Sequence, residues 1–321
     1  MILSRRRAGA ALLSLVASAS SARAQTYPSR PIRIVVPTGP GGITDIVARI
    51  VGNRLSERMG QPVLIDNKGG ASGIIGTEVV ARAQPDGYTL LMVYPSHPVN
   101  PSLKAQLPYD TIRDFAPVTT LTTVSLVLLV PPTLAVKSVQ EPIALAKRDR
   151  VTFASVGSGS LAHLGAELFR SKAGIEITHV PYRSAPAAQQ ALMGGEVSLF
   201  FDTPITAVPL VKDGRLRALG VSTLERSELL PDVPTIAEAG VPGYEVLGWN
   251  GILAPSATPP AIVQRLNREL CAILDESEIK QKLAQQGAAP APTDPESFAR
   301  LVRDDVAKWT EVIRSAGIRP E

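Results

Sequence analysis

The stretch "VVPTGPGGITDIVARIV", residues 35–51, decides the fold. An apolar run, Ile32 to Val36, ends in a Pro/Gly loop without a charge, and the loop opens into a second apolar pattern of different period. There Ile46, Val47, Ile50, Val51, Leu55 and Met59 share one face, while Arg49, Asn53, Glu57 and Arg58 lie largely opposite. That spacing is an amphipathic helix with its core face marked. Strand, glycine-rich loop and helix in this order make one βα unit, and repetition of the unit implies an α/β fold with parallel pairing.

The unit repeats. Strands are expected at Ile32 to Val36, Val63 to Asn67, Thr89 to Val93, Ser125 to Val130, Val151 to Ser155, Ile177 to Val180, Val197 to Phe201, Leu216 to Val221 and Gly251 to Ala254. Helices are expected at Thr44 to Met59, Ser72 to Ala83, Ser160 to Ala173, Ala185 to Met193, Pro260 to Leu274 and Pro295 to Ala316. Four times a strand runs through a Gly/Ser/Pro loop into a helix: at Pro37 to Thr44, Lys68 to Ser72, Val156 to Ser160 and Pro181 to Ala185. Two of these loops fall early and two fall after Val151, the layout of two α/β lobes that each present a pair of loops at strand carboxyl ends. Open α/β sheets bind ligands there.

Residues 1–24 read as an export signal: Arg5, Arg6 and Arg7, an apolar run from Ala8 to about Ala19, and a small-residue end at Ala22-Arg23-Ala24. Ser4-Arg5-Arg6 hints at twin-arginine export, but Ala8 and Gly9 stand where bulky apolar residues belong, which favours the general route. Of the 33 Lys and Arg, four lie in this leader, so the remainder carries 29 cations against 29 anions. Net charge then offers nothing to nucleic acid or to an anionic membrane. A single cysteine, Cys271, excludes an intramolecular disulfide and a cysteine-based zinc cluster.

A loop without a cation can still hold an anion. The first amides of a helix lack intrahelical partners, the aligned peptide dipoles add about half a positive charge there, and glycines let a ligand oxygen approach. Gly41, Gly42, Thr44 and Asp45 stand at the first helix start, and Gly69, Gly70, Ala71, Ser72 and Gly73 at the second. Asp45 either caps loop amides or holds water or a ligand ammonium. The rival signal is Gly157-Ser158-Gly159-Ser160-Leu161-Ala162, which satisfies the G-x-G-x-x-A dinucleotide fingerprint. The acidic residue that should end the next strand is missing, because that strand ends Val180-Pro181-Tyr182-Arg183 and Glu176 lies at its beginning. Ser158 and Ser160 fit as hydroxyl donors to a carboxylate or as N-caps. His163 either reaches the ligand or is structural; Arg183 either pairs with a carboxylate or is solvated; Asp202 either fixes a loop or touches ligand. His97, His163 and His179 have no metal spacing, and no nucleophile elbow or Walker lysine occurs.

The segments "YPSRPIRIVVPTGPGGITDIVAR", "QPVLIDNKGGASGIIGTEVVARAQPDGYTLL", "NPSL", "LPYDTIRDFAPVT", "FASVGSGSLAHLGAELF", "VPYRSAPAAQQALMGGEVSLFFD", "GRLRALGVST", "RSELLPDVPTIAEAGVPGYE" and "WNGILAP" together resemble the Bug family, substrate-binding proteins of the tripartite tricarboxylate transporter type. The resemblance implies a non-catalytic, monomeric periplasmic binding protein of the type II kind, with two α/β lobes joined by a hinge of two crossings. Lobe 1 would be residues 25–123 and 247–321, and lobe 2 residues 124–246. It implies capture of a small organic carboxylate, without cofactor or metal, for the membrane subunits of a transporter or for a sensor domain. By position the ligand contacts would be Thr38, Gly41, Gly42 and Asp45, then Gly70, Ala71, Ser72 and Gly73, with Ser96 on the side wall. Lobe 2 would add Ser158, Gly159, Ser160 and His163, with Tyr182, Arg183, Ser184 and Asp202 as further wall. Ser184 departs from the glycine usual in the family, and "ALAKRDRVTFAS" lacks the usual Pro-Gly turn. The alternative is a secreted α/β enzyme that uses the Gly157/Gly159 loop for a nucleotide cofactor.

Overall fold

A computed structural model describes residues 27–315 and Gly317, so the expected export signal lies outside the described residues. The chain forms two sheets. The first part supplies β1 (Ile32–Val36), α1 (Ile43–Met59), β2 (Val63–Asn67), a 3-10 turn (Ala71–Gly73), α2 (Ile74–Ala81), β3 (Thr89–Val93), α3 (Ser96–Leu103) and β4 (Phe115–Val124). The middle supplies β5 (Val127–Val130), α4 (Gln140–Ala146), β6 (Val151–Ser155), α5 (Leu161–Ala173), β7 (Ile177–Pro181), α6 (Ala185–Met193), β8 (Leu199–Asp202), α7 (Pro204–Lys212) and β9 (Arg217–Val221). The last part is β10 (Gly248–Pro255), α8 (Pro260–Asp275), α9 (Ser277–Ala284), β11 (Ala289–Pro290) and α10 (Pro295–Ser315).

One sheet runs β11-β4-β10-β3-β1-β2 and the other β7-β6-β8-β5-β9, each flanked by helices. This is the two-lobed α/β architecture. β1 pairs in parallel with β2 and β3, and β6 with β7 and β8. Pairing is antiparallel where β10 meets β3 and β4, and where β5 meets β8 and β9. β5 and β10 are the strands entered from the opposite sheet, without the helical crossover that makes neighbouring strands parallel.

Only Ser125 and Leu126 separate β4 from β5, so one continuous extended segment passes between the sheets. The return passes just before Gly248, which pairs with Val124. Ser222, fully buried, ties the two passages together. Its Oγ accepts from the Leu126 amide at 2.7 Å and donates to the Val246 carbonyl at 2.5 Å. Its backbone accepts from the Val246 amide and donates to the Leu126 carbonyl, both at 2.9 Å.

The helix read from residues 44–59 is α1. It buries Val47, Ala48, Val51, Leu55 and Met59 against Ile32, Ile34 and Leu90, and stops at Gly60, whose φ of 67° only glycine takes without strain. Helix α3 contradicts the usual reading of proline: "SHPVNPSL" is helical although Pro98 and Pro101 lie within it. Helix α10 lies across both lobes. Its first half packs Phe298 and Val302 with Trp249 and Leu253, and its second half places Trp309, Val312 and Ile313 in the core that contains Leu164, Phe169 and Tyr244. Trp249 is accordingly buried, donating from Nε1 to Asp305 at 2.6 Å, rather than facing the space between lobes.

Gly251 of β10 leaves room for this helix, since a Cβ there would stand 2.5 Å from Phe298 Cζ and 2.9 Å from the Thr119 carbonyl oxygen. Gly251→Ala is expected to destabilise the protein by about 1–3 kcal/mol through overpacking, measured by urea unfolding. Gly39→Ala, with nothing within 4 Å of its Cβ, should change stability by less than ~0.5 kcal/mol.

Candidate functional site

The first loop is organised by one buried carboxylate. Asp45 is 2% exposed in the first turn of α1 and accepts from the Gly41 amide at 2.9 Å, from Asn67 Nδ2 at 2.9 Å and from Arg49 Nε at 3.0 Å. Burial alone would raise its pKa, but the hydrogen bonds from Arg49, Gly41 and Asn67 and the Arg49 charge outweigh it and hold the carboxyl below its ordinary value. Asn67, at the end of β2, also donates to the Thr38 carbonyl at 3.2 Å and accepts from Arg49 at 3.0 Å. One polar knot thus joins the ends of β1 and β2 to the start of α1. Gly42, the N-cap, has no side-chain cap.

The second loop packs on the first, because a Cβ on Gly69 would stand 3.1 Å from the Gly39 nitrogen. Its backbone turns through four residues of positive φ: Gly70 at 126°, Ala71 at 48°, Ser72 at 54° and Gly73 at 86°. For Ala71 and Ser72 this is a strained left-handed region, which persists only where surroundings impose it. Those surroundings are the Gly73 amide donating to the Gly70 carbonyl at 2.9 Å, Thr77 Oγ1 donating to the Gly73 carbonyl at 2.8 Å, and Asn100 Nδ2 donating to the Ser72 carbonyl at 3.1 Å. The start of α2 is also without a side-chain cap.

In lobe 2 the helix starts are closed by their own serines. Ser160 Oγ accepts from the His163 amide at 3.3 Å and donates to the Gly157 carbonyl at 2.7 Å. Ser184 Oγ accepts from the Ala187 amide at 3.5 Å. The Gly159 amide donates to His163 Nδ1 at 3.1 Å, so the second glycine of the fingerprint already has its donor engaged inside the protein.

A cavity of about 180 Å³ lies where the lobes meet. From the expected set it gathers Ser72 and Ser96 of lobe 1 with Ser158, Gly159 and Ser160 of lobe 2. Val156 of the third loop completes the wall together with Tyr94, Asn100 and Leu103, and the last three lie outside the contacts expected from the sequence. Their signal was present in "YPSHPVNPSL", the segment directly after β3, but its prolines disguised α3. Leu103 closes the contact between lobes, since a Cβ on Gly159 would stand 2.6 Å from its Cδ1.

The other expected residues do not line this cavity. Gly70, Ala71 and Gly73 adjoin it through Ser72; Thr38, Gly41 and Gly42 form the neighbouring loop. His163 is 3% exposed and stacks with His179 at 4.2 Å. Tyr182 is half-buried beside the lobe-2 core; Arg183 is exposed and makes no ion pair among the described residues. Asp202 is 3% exposed, accepting from Gln189 Nε2 at 2.6 Å and the Thr203 amide at 2.8 Å, and burial raises its pKa despite these bonds. Larger hollows, about 380 Å³ between α1 and α9, about 590 Å³ beside Ser125 and Leu247 and about 300 Å³ beside Pro132 and Leu216, include none of these glycine-rich loops. No group of three His, Cys, Asp or Glu able to hold a metal occurs among the described residues.

Known proteins carry the same architecture. The family model for the tripartite tricarboxylate transporter family receptor matches residues 47–318. Protein BugT of Bordetella pertussis is 37% identical over 305 residues, which cover 94% of each chain. The R. palustris protein Rpa4515, solved with adipate, is 38% identical with a TM-score of 0.80, over 92% of this chain and 100% of that one. MatC from Rhodopseudomonas palustris, solved with bound malate, is 33% identical with a TM-score of 0.75, over 89% of this chain and 100% of that one. With a fold, a loop chemistry and a whole-chain match that agree, the chain belongs to the tripartite tricarboxylate transporter receptor family, alongside the Bug proteins.

Proposed function

We propose that this protein captures a small organic carboxylate between its lobes and delivers it to the membrane subunits of a transporter. The observation that carries the reading is the interlobe cavity whose walls come from helix-start loops of both lobes. In lobe 1 the helix starts contain glycine and lack side-chain caps; the Gly41, Gly73 and Ile74 amides are engaged by Asp45 and by the Gly70 and Ala71 carbonyls, and the remaining amides of these turns, Gly42 first among them, would meet an anion without any lysine. In lobe 2 the exposed Ser158 hydroxyl, which has no hydrogen-bond partner among the described residues, adds a free donor. The adipate and malate held by the two solved relatives support a carboxylate here. Export to the periplasm, with cleavage after about Ala24, fits the family and the basic-apolar leader. The protein acts as a monomer and performs no chemistry on what it binds. Thr38, Gly41, Gly42 and Gly70 to Gly73 form the lobe-1 grip in this proposal; Asp45 organises that grip instead of touching an anion it would repel.

Thermal unfolding against mono-, di- and tricarboxylates, amino acids and neutral sugars tests this. An acid at about 100 times its Kd should add about 2.7 kcal/mol of stability. A neutral sugar that raises Tm where no acid does would overturn the reading.

Three substitutions separate grip from scaffold. Ser158→Ala is expected to leave Tm within about 1 °C and to weaken acid binding by about 5-fold, the effect of one lost hydrogen bond. Ser160→Ala removes a helix cap and should lower stability by about 1 kcal/mol, read from urea unfolding. Asn100→Ala frees the strained Ser72 carbonyl, and calorimetric titration should show weaker binding, since the left-handed turn is no longer imposed.

A further inference from the structure

His163 stands one layer behind the cavity, yet it holds part of the wall. Its Nδ1 accepts from the Gly159 amide at 3.1 Å. A backbone N–H can only donate, so this bond requires Nδ1 to be unprotonated. The ring stacks on Phe153 at 6.1 Å and on His179 at 4.2 Å, and His179 carries a second anchor. His179 Nε2 lies 2.6 Å from Ser155 Oγ, which in turn accepts from the Gly157 amide at 3.0 Å. The Ser155 contact can run in either direction because a hydroxyl both donates and accepts; the Gly159 contact cannot reverse.

We infer that His163 is a positioning residue for ligand capture: its neutral Nδ1 fixes the Gly159 peptide, and with it the Ser158–Ser160 wall, without touching the ligand. This rests on the binding reading above. The surroundings keep the ring neutral. Burial and the neighbouring His179 push its pKa down to about 4. The one facing carboxylate, Glu167, is 3.8 Å from Nε2 and is already paired with Arg170 at 2.8 Å, which also reaches Glu176 at 3.0 Å. The aromatic rings that face it are Phe153 of β6 and His179 of β7.

The geometry separates positioning from direct contact. A histidine that met the ligand carboxylate itself would bind it more tightly as it protonated near its ordinary value of 6.5. A positioning histidine buried as a neutral acceptor gives an affinity that does not change there. Asn offers an oxygen close to where Nδ1 stands, whereas Phe keeps the ring and its stacking but accepts nothing.

The test is calorimetric titration of wild type, His163→Phe and His163→Asn with whichever of adipate, malate or citrate gives the largest thermal shift, at pH 6.0, 7.0 and 8.0. Wild-type affinity should stay within about 2-fold across that range, His163→Phe should bind about 10-fold more weakly, and His163→Asn should recover to within about 3-fold of wild type. Folding of each variant is checked by its thermal transition, and the Gly159 amide resonance should move in His163→Phe and return towards its original position in His163→Asn. Affinity that rises several-fold from pH 8.0 to 6.0 in wild type only, or a His163→Asn variant as weak as His163→Phe, would overturn the inference. Absence of binding by all three acids to wild type would instead count against the carboxylate reading itself.

Discussion

A helix that begins with open amides needs something to keep its entry loop from collapsing onto them, and here that is the buried carboxylate of Asp45. It takes hydrogen bonds from the loop at Gly41, from β2 at Asn67 and from its own helix at Arg49. With its charge balanced by Arg49, it stays in a buried place an unpaired carboxylate would not tolerate. The second loop is positioned against the first, and its left-handed turn is held by Asn100 from α3. Both lobe-1 loops are therefore held by short polar contacts, the first to the ends of β1 and β2 and the second to α3.

The two lobes divide the work. Lobe 1 leaves its glycine-rich helix starts without side-chain caps, and lobe 2 closes α5 and α6 with Ser160 and Ser184. Uncapped helix starts thus lie on one side, and serine hydroxyls close the helix starts on the other. Where a tightly closed lid would bury unsatisfied amides on both faces, this arrangement leaves one face already satisfied.

Local periodicity made much of this legible in the sequence. The apolar face of α1, the β1 and β2 runs and the four Gly/Ser loops follow from spacing over a few residues. What escaped depends on neighbours distant in the chain. The threonine-rich β4 looks too polar for a sheet centre, yet Thr119 donates to the Thr293 carbonyl and Thr120 to that of Ala291, partners brought in from far downstream. Helix α3 carries two prolines and is held by packing against α10 instead of by its own propensity. Arg49 and Asn67 read as a solvated face and a strand end, because only the folded loop brings Asp45 between them. Of the expected contacts, Ser72, Ser96, Ser158, Gly159 and Ser160 share one cavity, whereas His163 and Asp202 are turned into the lobe-2 interior.

Helix α10 crosses from one core to the other within a single rigid rod. Phe298 is committed beside Trp249 in lobe 1, and Trp309 is committed among lobe-2 side chains, with Lys308 Nζ donating to the Glu245 carbonyl at 3.0 Å. Lobe 2 is thus continuous in sequence from β5 to β9 but not self-sufficient: cut out alone, it would expose the apolar seat that α10 fills. Nascent chain emerging from synthesis meets the same gap, and must wait for α10 before that seat is covered.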